Sequence, residues 1–212
     1  MSSALWYLGR GSGVVSLVLL TLVVALGIAT RSGRPMPGLP RFAVAAVHRN
    51  ASLLAVVFLG IHVTTLLADP YAQLKLVDLV LPFAGIYRPF WLGLGTVGLD
   101  LMAALVITSL ARSRLGVRTW RAVHWLAYAT WPVAILHSLG TGTDAGRSWM
   151  LALAALSAAA VVLATIWRCT PSFAAVTRPG RRAGQLPPAP STVGRLPSTA
   201  APAARLSKEF QP

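Results

Sequence analysis

The chain has 212 residues, of which 55% are hydrophobic and only 11% are charged. A soluble domain of average composition carries about 25% charged residues, so these proportions argue against a water-soluble globule. The charges are also one-sided, with 19 Lys and Arg against 5 Asp and Glu. They lie between long apolar runs, which excludes nucleic-acid binding and favours a membrane protein with a basic inner face. The single cysteine, Cys169, excludes an internal disulfide framework and a multi-cysteine zinc or iron–sulfur site.

Five apolar runs are long enough to cross a bilayer, which takes about 20 residues in a helix. They lie near residues 12–30, 43–67, 90–111, 119–139 and 149–168. The expected fold is therefore an all-α membrane protein, a bundle of about five transmembrane helices within residues 1–168. Residues 169–212 are rich in Pro, Ala and Arg, cannot bury a core, and are expected to form a disordered cytoplasmic tail.

Basic residues set the expected orientation of this bundle. Arginines cluster after the first, third and fifth apolar runs, whereas the few basic residues on the opposite side are offset by aspartates. The positive-inside rule then places the N-terminus outside and the C-terminus inside a multi-pass protein of the cell membrane. The first run is not expected to be a cleaved signal peptide, because its stronger positive cluster follows it. Residues 71–90 contain charges and prolines, which predicts an interfacial helix and loop instead of a sixth span.

All four histidines of the chain lie in two of these helices, His48 and His62 in the second and His124 and His137 in the fourth. Helices separated by two crossings run in the same direction. His48 is therefore expected beside His124 near the cytoplasmic end, and His62 beside His137 near the outer end. A neutral imidazole is an axial ligand of haem iron, and two facing imidazoles can hold one iron from both sides.

The histidine spacings fit two such sites, one above the other. His48 and His62 are fourteen residues apart, which is about 21 Å along a helix and about 40° around it. His124 and His137 are thirteen residues apart, which leaves them about 140° apart on a straight helix. Pro132 lies between them and is expected to kink the helix and allow local rewinding. A single histidine in a membrane helix more often joins helices by a hydrogen bond, but four at matched depths favour ligation.

Three segments resemble a known family: VHRNASLLAVVFLGIHVTTLLADPY, YRPFWLGLGTVGLDLMAAL and RLGVRTWRAVHWLAYATWPVAILHSLGTGTDAG. Over about residues 10–168 they are similar to the ferric reductase-like transmembrane domain. That superfamily includes ferric reductases, NADPH oxidases and the haem subunit of the periplasmic methionine sulfoxide reductase. The resemblance implies two b-type haems, held by His48 with His124 and by His62 with His137, that carry electrons across the membrane. Ferric reductases and oxidases commonly have six helices and a flavin–nicotinamide domain, so the chain looks more like the short actinobacterial members.

Four further residues are candidates for the same site. Arg49 and Arg121 flank the inner histidine pair, and Arg88 lies beside the outer pair. Arginine binds carboxylates with a bidentate fork, so Arg49 and Arg121 are predicted to contact haem propionates, although the positive-inside rule explains these two equally well. Arg88 is predicted to contact an outer haem propionate or to lie on the substrate side. Asp100 lies near the middle of the third helix, where it is either a proton relay coupled to haem reduction or a structural hydrogen-bond acceptor for Thr96, Thr108 or a neighbouring helix.

The sequence GLGTVG at residues 93–98 matches the GxGxxG pattern, but it has no preceding strand and no acidic residue about 20 positions later. Its glycines more simply allow helices or a haem to approach closely. With no flavin or nicotinamide site, the chain is predicted to be an electron-transfer subunit of an oxidoreductase, surrounded by membrane lipid. Its redox partner would be a separate flavoprotein, a quinol, or an external FMN or metal-cofactor protein. The alternatives are a haem-free proton path that uses Asp100 and a structural membrane subunit.

Overall fold

The computed structural model of the protein describes residues 2–32, 40–170 and 173. Its helices are α1 (Ser2–Ser32), α2 (Arg41–Ala68), α3 (Pro89–Leu110), α4 (Arg112–His124), α5 (Ala127–Thr141) and α6 (Ser148–Cys169). All regular structure in this part of the chain is helical, which confirms the all-α class. Almost all of the tail predicted over residues 169–212 lies outside the described residues.

Four helices are long and apolar enough to cross a membrane. They contain the segments Ala4–Ser32, Phe42–Ala68, Pro89–Leu110 and Ser148–Cys169. These segments coincide with four of the five predicted spans and make the chain a multi-pass membrane protein. Helix α1 starts earlier than the run predicted over 12–30, because its first turns pack against the end of α2, where Gly9 lies against Leu66.

The fourth predicted span, 119–139, is not the single helix that was expected. Helix α4 ends at His124, and α5 begins at Ala127. At the junction, the amides of Trp125, Leu126, Tyr128 and Ala129 bond to the carbonyl three residues earlier instead of four. Each such step turns the chain by about 120° instead of about 100°, so the 140° offset between the two histidines falls to about 60–80°. The predicted rewinding thus occurs, about one to two turns before Pro132.

The segment between α2 and α3 forms no sixth span, as predicted. Its only helical turn is the 3-10 turn Leu76–Leu79, so the predicted interfacial helix is reduced to four residues. The buried Asp78 fixes this turn, because its carboxylate accepts a hydrogen bond from the Lys75 amide at 2.9 Å. The Asp78 carbonyl also accepts a bond of 2.6 Å from the Thr96 hydroxyl, which ties the turn to α3.

Helix α1 organises the bundle. It packs antiparallel along α2 and also contacts α5 and α6, while α3 packs against α5. A hydrogen bond of 2.9 Å from the Trp131 indole to the Thr21 hydroxyl links α5 to α1. Helix α2 makes almost no contact with α3 or α5 in the described residues. The two helices that carry the outer histidines are therefore held apart, and a cavity of about 710 Å³ lies between them.

Candidate functional site: two histidine pairs

His62 of α2 and His137 of α5 face each other across the outer part of this cavity. Their ring centroids are 6.4 Å apart, and the ring planes are inclined by 82°. Both residues line the cavity, which continues inward to Leu20 and Ala55, between the levels of the two histidine pairs. Two imidazoles that share one metal, with bonds of about 2.0–2.1 Å to nitrogen, have ring centres roughly 6–6.5 Å apart. The observed separation therefore matches a shared metal ion.

Backbone hydrogen bonds fix the tautomer of both outer rings. His62 Nδ1 donates to the Gly9 carbonyl of α1 at 2.6 Å, and His137 Nδ1 donates to the Trp91 carbonyl of α3 at 2.8 Å. A carbonyl oxygen only accepts, so Nδ1 carries the proton in each ring. In a neutral imidazole the other nitrogen, Nε2, then has a free lone pair. This is the arrangement that metal-binding histidines use to orient the ring and raise its basicity.

His48 and His124, the predicted inner pair, lie within electrostatic range of each other, and their role as a pair stays a prediction. His48 Nδ1 donates to the Val23 carbonyl of α1 at 3.1 Å. His124 differs: its ring stacks on Trp120, with centroids 4.8 Å apart, and its buried Nδ1 has no hydrogen-bond partner. In the predicted inner pair, a backbone carbonyl therefore holds the His48 ring, whereas no backbone carbonyl holds the His124 ring.

Each ring held in this way rests on the same local device, which we call a glycine cradle. It consists of a helix carbonyl at residue n, which accepts the Nδ1 hydrogen bond, and a glycine at residue n+4. The three cradles are Gly9 with Gly13 for His62, Val23 with Gly27 for His48, and Trp91 with Gly95 for His137. In a helix, the side chain at n+4 leans over the turn that contains the carbonyl of n, so only glycine leaves that carbonyl open.

The space above each cradle is occupied by the imidazole itself. A Cβ atom at Gly95 would lie 2.6 Å from His137, and one at Gly13 would lie 2.8 Å from His62. At Gly27 the distance to His48 would be 3.3 Å, which is less restrictive. The rings and the glycines are thus fitted to each other, most tightly at the outer site.

Sequence reasoning missed the cradles of α1, although a signal for them is present. Gly13 and Gly27 are fourteen residues apart, as are His48 and His62 on the next helix. In an antiparallel pair of helices, equal spacings bring both glycines opposite both histidines. The close approach predicted for the glycines of α3 is confirmed at Gly95, where the partner is His137.

The three predicted arginines lie near the histidine pairs but have different surroundings. Arg49 and Arg121 are exposed, on α2 and α4 respectively. Arg88 donates from Nη1 to the Gly140 carbonyl at 2.6 Å, which ties the start of α3 to the end of α5. Contact with a haem propionate stays a prediction for all three.

A fourth arginine, which was not predicted as a site residue, lies at the outer mouth of the cavity. Arg10 of α1 forms an ion pair with Asp144 in the loop before α6. Its guanidinium also lies 4.0 Å from the centroid of the Trp6 ring. Because Arg10 and Asp144 both line the cavity, this ion pair joins α1 to the α5–α6 loop at the entrance.

Asp100 lies on an exposed face of α3 and is absent from the lining of the cavity described here. The predicted hydrogen bonds to it from Thr96 and Thr108 are not formed. Thr96 donates to the Asp78 carbonyl, and Thr108 donates to the Ala104 carbonyl. The role of Asp100 as a proton relay stays a prediction. Any such relay would begin at a carboxylate on the exposed face of α3.

The donor set fits a haem better than a bare metal ion. No group of three or more His, Cys, Asp or Glu side chains surrounds a common point within residues 2–32 and 40–170. Each predicted histidine pair would supply two nitrogen ligands, which is what haem iron takes from a protein in its two axial positions. The cavity volume of about 710 Å³ is also within the range of small-molecule sites.

The fold and these residues define a class of protein, a multi-pass helical membrane domain in which His62 and His137 face each other across a cavity. The family described as ferric reductase like transmembrane component matches residues 12–135, more than half of the chain. The chain therefore belongs to this family, which places it among redox membrane domains. The matched range contains His48, His62 and His124 and ends two residues before His137. Neither the curated proteins nor the solved structures include a significant match.

Proposed function

We propose that the protein carries electrons across the cell membrane through two b-type haems. His48 and His124 would hold the inner haem, and His62 and His137 the outer one. The observation that carries this proposal is the outer pair, whose rings face each other at 6.4 Å with both Nδ1 atoms already donating to carbonyls. Both Nε2 lone pairs remain available for one iron.

A bound haem supplies a one-electron redox couple, and the protein supplies position and electronic tuning. The residues of the chain do this in two ways. The carbonyls of Gly9, Val23 and Trp91 hold three rings in the ligand tautomer and raise their basicity. Helix α2 sets the separation of the two levels, because His48 and His62 are fourteen residues apart on one face, or about 21 Å.

The electron donor and acceptor are proposed to be separate molecules. The described residues form no strand, and the GLGTVG sequence lies inside α3, where a phosphate-binding turn cannot form. We therefore propose a haem subunit of a ferric reductase-like oxidoreductase, whose partner is a flavoprotein, a quinol, or an external FMN or metal-cofactor protein. Arg49, Arg88 and Arg121 are proposed as contacts for the haem propionates.

Purified protein is expected to contain two b-type haems per chain. The test measures haem and protein in the same sample and records a reduced-minus-oxidised spectrum. Two low-spin haems per chain would support the proposal, because bis-histidine ligation fills both axial positions. A preparation supplied with haem that stays colourless would overturn it and leave a haem-free proton path or a structural subunit.

A further inference from the structure

The inner histidine pair is asymmetric, and the asymmetry lies in His124. Three of the four histidines donate Nδ1–H to a backbone carbonyl, whereas the buried Nδ1 of His124 has no partner. Loss of such a hydrogen bond typically weakens a metal–histidine bond by about 10–100-fold. His124 is therefore the weakest of the four candidate ligands.

The missing hydrogen bond has a visible cause in the sequence. Helix α3 carries the cradle for His137 at Trp91 and Gly95. Fourteen residues after Gly95 stands Ser109, whose hydroxyl accepts the indole hydrogen of Trp120 at 3.4 Å. Serine has a Cβ atom, which covers the carbonyl of the residue four positions earlier. At the position of Ser109, α3 therefore offers no glycine cradle to His124.

The surroundings of His124 cover its side chain only in part. It is the last residue of α4, directly before the 3-10 junction, and none of the residues of α4 is fully buried. Its ring stacks on Trp120, and the Arg112 guanidinium carbon lies 4.4 Å from the centroid of the Trp120 ring. His48, on the opposite side, is held by the Val23 carbonyl beside Gly27.

We propose that His124 is a displaceable ligand, so that the inner site takes up a small neutral ligand of diatomic size and the outer site does not. The inference rests on the proposed function. With a haem bound, the exchange would be a ligand substitution in which His124 Nε2 would give up its place on the iron to the incoming ligand. The imidazole leaves as a neutral group, and no electron is transferred.

Carbon monoxide added to the reduced, haem-loaded protein tests this by absorption spectroscopy. About half of the haem in the wild-type protein should shift, since one site of two is open. The double variant His62→Ala/His137→Ala retains the inner pair and should shift completely. The double variant His48→Ala/His124→Ala retains the outer pair and should not shift. Two haems per chain with no shift in the wild type, or an equal shift in both double variants, would overturn the inference while leaving the proposed function standing.

A second variant tests the role of the stacking surface if the double variants lose all haem. Trp120→Leu removes the surface on which the structure places the His124 ring and on which the displaced ring is proposed to stay, and aromatic pairing of this kind typically contributes about two- to tenfold to an equilibrium. The carbon monoxide affinity should fall by that factor. Trp125→Leu is the matched control, because Trp125 contacts Tyr128 and Arg168 instead. Equal affinities in the two variants would contradict the proposed ring movement. A protein without haem would instead contradict the proposed function.

Discussion

His62→Ala and His137→Ala are each expected to reduce the haem content from two per chain to one. Each change removes one of the two nitrogens that would hold the outer haem. The change should cost more than about 100-fold in affinity, since even loss of an outer hydrogen bond to a ligand costs about 10–100-fold. The inner pair lies about 21 Å away on α2 and should keep its haem. Quantitative haem and protein assays on membranes and on purified protein measure this.

Thr64→Ala is the matched control for the outer histidines. Thr64 lies two residues from His62 on α2, but it is exposed and its hydroxyl bonds only to carbonyls of its own helix. This variant should retain both haems. Two haems in His62→Ala and His137→Ala, with the wild-type spectrum, would show that the outer pair is not a ligand pair.

Gly95→Ala is expected to remove the outer haem although no ligand is changed. The new Cβ would lie 2.6 Å from Cε1 of His137, and that ring is held in place by its hydrogen bond to the Trp91 carbonyl. Either the ring or α3 must shift, and overpacking of this kind costs about 1–3 kcal/mol. The ring would then lose the position in which its Nε2 faces His62. Haem content should fall from two per chain towards one, with the inner haem retained.

Gly98→Ala, one turn further along α3, is the matched control. A Cβ there would lie 3.7 Å from Val133, which is ordinary contact, and alanine favours a helix by about 1 kcal/mol over glycine. This variant should keep both haems and melt at the same or a higher temperature. On α1 the same contrast is expected between Gly13, opposite His62, and Gly11, which has open space around it. Equal haem contents in Gly95→Ala and Gly98→Ala would contradict the cradle.

Much of the fold could be predicted from the sequence, because in a membrane span the apolar run itself is the physical requirement. Four of the five predicted runs are helices of the expected length, and the pairing of histidines on α2 and α5 followed from counting crossings. The division of the fourth span could not be predicted from the apolar pattern. It depends on 3-10 hydrogen bonds between residues 122 and 129, a backbone choice that side-chain hydropathy does not specify.

The candidate ligands of the site could be predicted from the sequence. The carbonyls, glycines and ion pair around them could be predicted much less well. Histidines are rare and ionisable, so their depth in a helix indicates a function. The carbonyl of a glycine cradle is open because residue n+4 is glycine. Whether it accepts a hydrogen bond from a histidine depends on which helices meet and in what register. For α1 and α2, the sequence indicates that register through two equal spacings, Gly13 to Gly27 and His48 to His62. The ion pair of Arg10 with Asp144 depends on how α1 meets the α5–α6 loop, which no local pattern specifies.

The most direct test of the central claim is electron transfer across a membrane that contains only this protein. Liposomes with the haem-loaded chain would enclose ferricyanide, and a membrane-impermeant reductant would be added outside. The wild-type protein should reduce the enclosed ferricyanide, and His62→Ala should lose that reduction. Reduction by haem-free protein at the same rate, or no reduction by protein with two haems, would contradict it.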